Sequence, residues 1–352
     1  MTSGSTKVED WSIIECYPQS SGTEPPVLEP PRRTSLPPQN QSPKMHRNFQ
    51  KAISEHLCLS RSYANPQYIA FSLEFPKSDL RNPLLFDTGF FSHQGSRKAM
   101  EDASFCTPID VGLVAGVFDG HGGSEVSRYV SAAFNQRFAP TLREMHGNVY
   151  ETFCFLMKSI HSEVASHHEW DTMGTTAVVT IVDTYAHAAY TATLGDSEAN
   201  IYRQIGNSFK SIPLSCVRNW KSKRDALRAA EAFNNPELDK AFQKADNPKL
   251  MYFPPSHGVN VSRAIGDVGL TIENRSAISQ KPKITQARVQ RGDILVLACD
   301  GLKDSVSEYK IVCLMEQARR VPSESLAQIL VNFAIVQRFA RDNVSVIVIK
   351  MM

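Results

Sequence analysis

The stretch GLVAGVFDGHGG, residues 112–123, bears most directly on the fold. Its first seven residues are apolar or glycine and show no polar alternation, which is typical of a strand buried on both faces. We therefore predict a strand over Leu113–Phe118. The Asp119-Gly120 pair that follows is a common turn signal and ends the strand.

The hydrophobic pattern on both sides of this stretch predicts helices inserted in pairs between strands. The next predicted elements are helices at Glu125–Phe138 and Val149–Ser166 and strands at Ala177–Val182 and Ala188–Leu194. After a polar segment the pattern repeats, with a strand at Ile294–Ala298, helices at about Tyr309–Arg320 and Ser323–Phe339, and a strand at Val344–Ile349. This order predicts an α+β fold, a four-layer α/β/β/α sandwich of two mainly antiparallel sheets flanked by helix pairs.

Three of the apolar strands end on an aspartate, at Asp119, Asp196 and Asp300, and a fourth acid, Asp342, precedes a strand. In antiparallel neighbours the end of one strand lies beside the start of the next, so these acids can meet at one end of the sheets. Clustered carboxylates repel each other unless protons or cations neutralise them, and oxygen ligands favour Mg²⁺ or Mn²⁺ over zinc. The sequence predicts a hard-metal site, although each Asp-Gly pair taken singly is also explained as a turn.

Six segments in order resemble the motifs of the metal-dependent protein phosphatase 2C family. The resemblance covers about residues 88 to 352, and six motifs in the right order are far more specific than any one of them. The matching segments are RKAMED (97–102), VFDGHGG (117–123), GTTA with GDS (174–177 and 195–197), SRAIGD (262–267), ACDGLKD (298–304) and RDNVSV (341–346).

The resemblance implies a site with two Mg²⁺ or Mn²⁺ ions. Asp119 would bridge the two ions, and the carbonyl of Gly120 would add a contact to one of them. Asp300 and Asp342 would hold the other ion.

Four further acids would support this site. By the same resemblance, Glu101 and Asp102 would orient metal-bound waters, and Asp196 and Asp304 would hold a third, looser ion.

The implied reaction is hydrolysis of phosphoserine and phosphothreonine in proteins by direct attack of a metal-bridging hydroxide. Arg97 would grip two phosphate oxygens through its planar guanidinium group. His121 would act as the general acid that protonates the leaving serine or threonine oxygen. The alternative is a catalytically inactive phosphatase fold that serves as a binding or scaffold module. Such proteins generally lose the metal carboxylates, which are present here.

The chain departs from the family pattern at three places. Glu198 stands where the family usually has arginine after Gly-Asp-Ser, and Lys303 stands where it commonly has an aromatic residue after Asp-Gly-Leu. The flap, at about 215–257, lacks the usual D-H-K-P segment and carries a basic helix instead. The basic residues are Lys221, Lys223, Arg224 and Arg228. They form either a surface that attracts phosphorylated substrates or a solvated helix face.

The N-terminal region differs in composition from the rest. Residues 1–45 contain 8 of the 20 prolines and show no periodicity, which predicts a disordered tail. This tail is either a solvated extension or a docking segment for a partner. Residues 46–85 form an N-terminal extension with a helix candidate near Phe49–Leu59. The catalytic domain is predicted over 86–352.

Composition excludes several classes of function. The chain has 42% hydrophobic and 21% charged residues and a net charge of +2, which gives no argument for nucleic-acid or membrane binding. Its seven cysteines include no C-x-x-C pair, which favours a reducing, intracellular and cytoplasmic setting. A cysteine-dependent phosphatase would need C-x₅-R, but Ser305 stands six positions after Cys299. We expect a monomer whose partner is a phosphoprotein substrate.

Overall fold

The computed structural model describes residues 12–14, 83–245, 250–252, 257–272 and 275–352. The predicted tail and the helix candidate near Phe49–Leu59 lie outside these residues, with one exception. Ser12–Ile14 forms a strand, which differs from the disorder predicted for residues 1–45.

The first large sheet has six antiparallel strands, and the strand predicted from residues 112–123 lies in its middle. Its spatial order is β1 (Ser12–Ile14), β16 (Lys283–Arg288), β8 (Ala188–Leu194), β7 (Ala177–Asp183), β4 (Gly112–Phe118) and β3 (Ala103–Ile109). All residues of β4, β7 and β8 are buried, which explains why these strands are apolar without alternation.

The second large sheet has five antiparallel strands. Its order is β10 (Ser208–Pro213), β9 (Glu198–Ile205), β17 (Ile294–Ala298), β18 (Val344–Met351) and β2 (Phe86–His93). The two sheets share one apolar core, in which Leu113 and Val178 of the first sheet meet Leu295 and Ile347 of the second. Burying each such side chain stabilises the folded state by about 1.5–3 kcal/mol relative to leaving it exposed.

Helix pairs cover the outer faces. The pair α1 (Glu125–Glu144) and α2 (Val149–Val164) lies on the first sheet, where α1 contacts β3 and β4. Asn148 begins α2 by accepting a hydrogen bond from the Glu151 N–H at 3.1 Å. On the second sheet, helices α6 (Glu308–Ala318) and α7 (Ser323–Asn332) share a core with β17 and β18. The four-layer α+β prediction is confirmed.

The remaining elements are short. Helix α5 (Asp300–Ser305) follows β17, and the flap contains α3 (Lys223–Ala232) and α4 (Leu238–Lys244). A three-stranded sheet joins β5 (Gly120–His121), β6 (Gly174–Thr175) and β13 (Ile265–Gly266). Two further strand pairs are β11 (Leu250–Tyr252) with β12 (His257–Val259) and β14 (Thr271–Ile272) with β15 (Arg275–Ser276). Within the described ranges, no helix is both long and apolar enough to cross a bilayer.

Every predicted strand is present within one or two residues, but two predicted helices differ from the structure at their ends. The helix predicted over Glu125–Phe138 extends to Glu144. In the segment predicted as one helix over Ser323–Phe339, the α-helical part ends at Asn332. A π-helix follows over Phe333–Gln337, and Phe339 has a φ of 55°. The sequence analysis also missed β2, β3, β9, β10 and β16. Of these strands, β2 and β10 are sheet edges with exposed positions, and β16 contains polar residues, so the apolar signal is weak.

Candidate metal centre

Strand directions bring the predicted carboxylates to one end of the sandwich. Asp119 follows β4, Asp300 follows β17, and Asp342 precedes β18 by two residues. Ala298, near the end of β17, pairs with Val346 on one side and Glu198 on the other, so Asp300 lies beside the starts of β18 and β9. Asp196 lies in the connection that crosses from β8 to β9.

We call six aspartates at this end the acidic centre: Asp102, Asp119, Asp196, Asp300, Asp304 and Asp342. Their charges act on each other. Burial and the charges of Asp102, Asp300 and Asp196 raise the pKa of Asp119 well above its usual value. The carboxyl groups of Asp119 and Asp300 are close enough to share a hydrogen bond.

The same repulsion reaches the outer members of the acidic centre. Burial raises the pKa of Asp300 to about 6, with further contributions from Asp342 and Asp304. Burial and the charge of Asp300 raise the pKa of Asp196 to about 7. Burial also raises the pKa of Asp304, with help from Asp342. Without cations, Asp300 and Asp196 keep their protons up to a higher pH than isolated aspartates do.

Asp102 gives the clearest sign of a ligand site. It is buried, and within the part of the chain that the structure describes neither of its carboxylate oxygens has a hydrogen-bond partner of ordinary geometry. An oxygen of Asp102, an oxygen of Asp119 and the sulfur of Cys299 lie within 4.8 Å of one another. A buried carboxylate without a partner is costly, and a cation would satisfy it.

Glu101 and Gly120 complete the predicted set. Glu101 lies close enough to raise the pKa values of both Arg97 and His121 by its charge. Gly120 is buried against the backbone of Glu101, and a Cβ atom at position 120 would lie 2.3 Å from the Glu101 carbonyl oxygen. The glycine thus allows the turn after Asp119 to approach the segment that carries Glu101 and Asp102.

The donor set fits a hard divalent cation. All six members of the acidic centre offer carboxylate oxygens, and burial together with neighbouring carboxylates raises the pKa values of Asp119, Asp196 and Asp300. Such oxygen-rich sites suit Mg²⁺ or Mn²⁺.

Arg97 lies at the edge of the acidic centre. Its Nη2 donates to Asp342 Oδ2 at 2.5 Å, while 53% of its side chain is exposed. Burial lowers the pKa of Arg97, but the charge of Asp342 outweighs this effect and the pKa is raised. An exposed guanidinium group beside the carboxylates can meet an anionic ligand that enters from solvent.

His121 has a partner that the sequence analysis did not assign. Its Nε2 lies 2.8 Å and 3.0 Å from the two carboxylate oxygens of Asp267. Burial alone would lower the pKa of His121, but the charge of Asp267 outweighs it and the pKa is raised. Asp267 ends the SRAIGD segment, which was its only signal in the sequence.

Two further residues that the sequence analysis missed hold the backbone of the site. The side chain of Asn343 accepts from the Glu101 N–H at 2.8 Å and donates to the carbonyls of Gln94 and Ala99 at 2.7 Å and 3.0 Å. Thr176 Oγ1 accepts from the Asp119 N–H at 3.1 Å and lies 2.7 Å from Ser197 Oγ. Each belongs to a quoted motif, but neither carries charge.

The family model described as "Protein phosphatase 2C" matches residues 86–216 and 236–344. The chain belongs to the protein phosphatase 2C family. Membership places it among the protein serine/threonine phosphatases.

Curated relatives agree with this assignment. Protein phosphatase 2C homolog 1 of Schizosaccharomyces pombe is 27% identical over 276 residues, which are 74% of this chain and 71% of the relative. Protein phosphatase fem-2 of Caenorhabditis elegans is 28% identical over 273 residues, which are 72% of this chain and 56% of the relative. The chain therefore spans only part of some relatives.

Solved structures share the fold. Serine-threonine phosphatase 2C from Toxoplasma gondii has a TM-score of 0.57 at 19% identity, covering 77% of this chain and 97% of that one. The structure titled as a sex determining protein of C. elegans has a TM-score of 0.58 at 23% identity, covering 76% and 64%.

The two single-residue departures from the protein phosphatase 2C pattern contact each other. Lys303 Nζ lies 3.3 Å from Glu198 Oε2 and 2.7 Å from Glu308 Oε2, and 12% of the Lys303 side chain is exposed. The lysine lies in α5 between Asp300 and Asp304, and Glu198 begins β9. An ion pair thus joins the two positions at which the family usually has arginine and an aromatic residue.

A buried ion cluster joins the flap to the segment that follows it. We call this cluster the flap clamp, and it consists of Asp225, Arg228 and Arg263. Asp225 is fully buried and accepts from Arg228 Nη1 at 2.5 Å and from Arg263 Nη2 at 3.0 Å. Burial alone would raise the pKa of Asp225, but the two arginines outweigh it and the pKa is lowered. The prediction that Arg228 belongs to a solvated or substrate-attracting basic face is wrong for this residue.

The flap clamp joins two parts of the chain that the family model treats differently. Asp225 and Arg228 lie within residues 217–235, between the two matched ranges, and Arg263 lies inside the second range. Trp220 is also buried there, where it stacks on Phe242 with ring centroids 4.9 Å apart. The flap therefore has its own core.

Proposed function

We propose that this chain hydrolyses phosphoserine and phosphothreonine in proteins with the help of two Mg²⁺ or Mn²⁺ ions and a third, looser one. The observation that carries the proposal is the acidic centre, in which burial and mutual repulsion raise the pKa values of Asp119, Asp196 and Asp300. A fold gathers such charges at a cost in stability, and cation binding offsets that cost.

We assign the first two metal ions to four residues. Asp119 would bridge the ions, the Gly120 carbonyl would contact one, and Asp300 and Asp342 would hold the other. Bound divalent cations would lower the pKa of a water molecule and offset the charge of the phosphoryl group.

The supporting acids have separate duties in this proposal. Asp196 and Asp304 would hold the third ion. Glu101 and Asp102 would orient ordered water, a role that agrees with the two Asp102 oxygens, which have no hydrogen-bond partner among the described residues.

Arg97 would bind the substrate phosphate. In the structure its guanidinium group is bonded to Asp342, so substrate oxygens would compete with that carboxylate for the same donors. A planar guanidinium group can donate two parallel hydrogen bonds to a phosphoryl group, which fixes the orientation of phosphorus.

His121 would complete the reaction. The oxygen of water bonds to phosphorus, and the bond from phosphorus to the serine or threonine oxygen breaks with its electron pair left on that oxygen. The imidazolium of His121 gives this oxygen a proton, and the products are the free hydroxyl side chain and inorganic phosphate. The raised pKa of His121 keeps a larger share of the ring protonated.

The competing function is an inactive phosphatase fold that binds a partner. Against it stands the acidic centre, which retains all six carboxylates together with Arg97 and His121. A fold without catalytic use would gain stability by losing these repelling charges.

The test is phosphate release from a phosphothreonine peptide by the full chain. We expect turnover with Mn²⁺, none after EDTA, and recovery when Mn²⁺ is restored. The matched control is Asp110→Asn, which alters a surface acid paired with Arg143 in the turn between β3 and β4, at the opposite end of β4 from Asp119. Folded protein that shows no Mn²⁺-dependent turnover would support the scaffold function instead.

A further inference from the structure

Asp267 has no role in the assignment above, yet it is the direct partner of the proposed general acid. We propose that Asp267 is a positioning residue that holds Nε2 of His121, so that the proton delivered to the leaving oxygen is the one on Nδ1. The inference rests on the proposed function, because it concerns the proton that His121 gives up.

The three-stranded sheet explains how the two side chains meet. His121 in β5 and Gly266 in β13 both pair with Gly174 in β6, on its opposite sides. Strands two apart are separated by about 10 Å, so the side chains of His121 and Asp267 must bridge the middle strand.

Gly174 makes room for that bridge. A Cβ atom at position 174 would lie 2.3 Å from Asp267 Oδ2 and 2.6 Å from His121 Nε2. The glycine of the GTTA segment is therefore required by the contact between these two side chains, because any larger residue would push them apart.

The backbone of Asp267 is held in an unusual conformation. The residue is 2% exposed and has a φ of 53° and a ψ of 39°, in the left-handed region. Its N–H donates to the Met173 carbonyl at 2.8 Å, and His161 Nδ1 accepts from the preceding N–H, that of Gly266, at 3.2 Å. Non-glycine residues in this conformation cost about 1 kcal/mol or more and cluster at functional sites.

The contact uses one ring nitrogen only. Both carboxylate oxygens of Asp267 lie within hydrogen-bond distance of Nε2, which fixes the ring in one plane. With Nε2 committed to Asp267, Nδ1 is the ring nitrogen left for the substrate.

The test compares two leaving groups in the Asp267→Ala variant. A threonine oxygen needs a proton as it leaves, whereas p-nitrophenolate does not. We expect kcat for a phosphothreonine peptide to fall about 100-fold, within the range of general acid catalysis. We expect kcat for p-nitrophenyl phosphate to fall less than about 3-fold, with KM unchanged for both.

Three companion variants sharpen this test. Gly174→Ala should show the same selectivity for the leaving group, because it displaces the pair without changing a charge. Asp267→Ala should add less than about 2-fold in a His121→Gln background, since residues that act as a unit are not additive. Glu169→Ala, which removes a carboxylate from the exposed pair with His167, should change neither rate.

A readout without turnover accompanies the kinetics. Side-chain ¹⁵N NMR of His121 should show a hydrogen on Nε2 in the wild type and lose that signature in Asp267→Ala, while calorimetry shows Mn²⁺ binding unchanged. Equal losses on both substrates, or an additive double variant, would make Asp267 merely structural and overturn the inference. If the wild type turns over neither substrate, the proposed function itself fails, which is a distinct result.

Discussion

Two clusters of buried charge in this molecule behave in opposite ways. In the acidic centre, burial and like charges raise the pKa values of Asp119, Asp196 and Asp300, and neither oxygen of Asp102 has a hydrogen-bond partner among the described residues. In the flap clamp, two arginines lower the pKa of Asp225 and satisfy its oxygens. The first cluster is incomplete without cations, whereas the second is complete within the protein. This difference is the one expected between a cation-binding site, as we propose for the acidic centre, and a structural ion cluster.

The largest effect is expected from Asp119→Asn. Removing the proposed bridging carboxylate should lower kcat with Mn²⁺ by about 10³-fold or more, which corresponds to roughly 4 kcal/mol of lost transition-state stabilisation. The same change relieves repulsion, so the metal-free variant should be at least as stable to urea as the wild type. A variant that is both active and destabilised would reverse our interpretation of this cluster.

The flap clamp should respond in the opposite way to Asp225→Ala. Loss of the carboxylate leaves Arg263 buried without its counter-charge, which should cost about 3–5 kcal/mol of unfolding free energy. Urea denaturation measures this cost, and calorimetry should show Mn²⁺ binding unchanged. Glu231→Ala on the exposed face of the same helix is the control and should cost less than about 0.5 kcal/mol.

The two clusters should also give opposite slopes of stability against pH. The acidic centre has raised pKa values, so its contribution is fully present below about pH 4 and is lost as pH rises through about 6 and 7. We expect EDTA-treated protein to be about 2 kcal/mol less stable to urea at pH 8 than at pH 5, and Mg²⁺ to remove the difference.

Asp225 has a lowered pKa, and its contribution has the opposite sign. The stabilisation that Asp225 provides is present above about pH 4, and it is lost as the pH falls through the lowered pKa that Asp225 has in the folded protein. Asp225→Ala should therefore flatten the acid limb of the stability profile and leave the limb between pH 5 and pH 8 unchanged. A flattened upper limb would contradict the assignment of these slopes.

The smallest effect on stability is expected at the ion pair between Glu198 and Lys303, the two residues that depart from the family pattern. Lys303→Met should lower the free energy of unfolding, measured by urea denaturation, by about 1 kcal/mol. The effect is small because the ion pair remains partly exposed to water. The charge exchange Glu198→Lys with Lys303→Glu should recover part of this loss. Lys210→Met, at an exposed lysine of β10, is the control and should have no measurable effect.

The strands that carry the site could be predicted because burial on both faces leaves an uninterrupted apolar run. Asp119, Asp196 and Asp300 each stand at the end of such a run, and they lie close enough for their charges to act on one another. Antiparallel pairing explains why residues far apart in sequence meet there.

The contacts that the sequence did not reveal depend on tertiary structure. Asp267 lies 146 positions after His121, and Arg263 lies 38 positions after Asp225, so neither pair produces a periodic signal. Arg228 appeared as one of several basic residues on a helix, and only the packing of α3 against Ser262 and Ala277 shows that it is largely enclosed. Edge strand β2 was missed because its exposed positions interrupt the apolar pattern.

The most direct test of the comparison is a calorimetric titration of the EDTA-treated full chain with Mn²⁺ at pH 7.5. We predict binding of at least two ions to the wild type and to Asp225→Ala, and loss of the tight binding in Asp119→Asn. Equal binding by all three proteins, or loss only in Asp225→Ala, would contradict the claim that the acidic centre is the cation site.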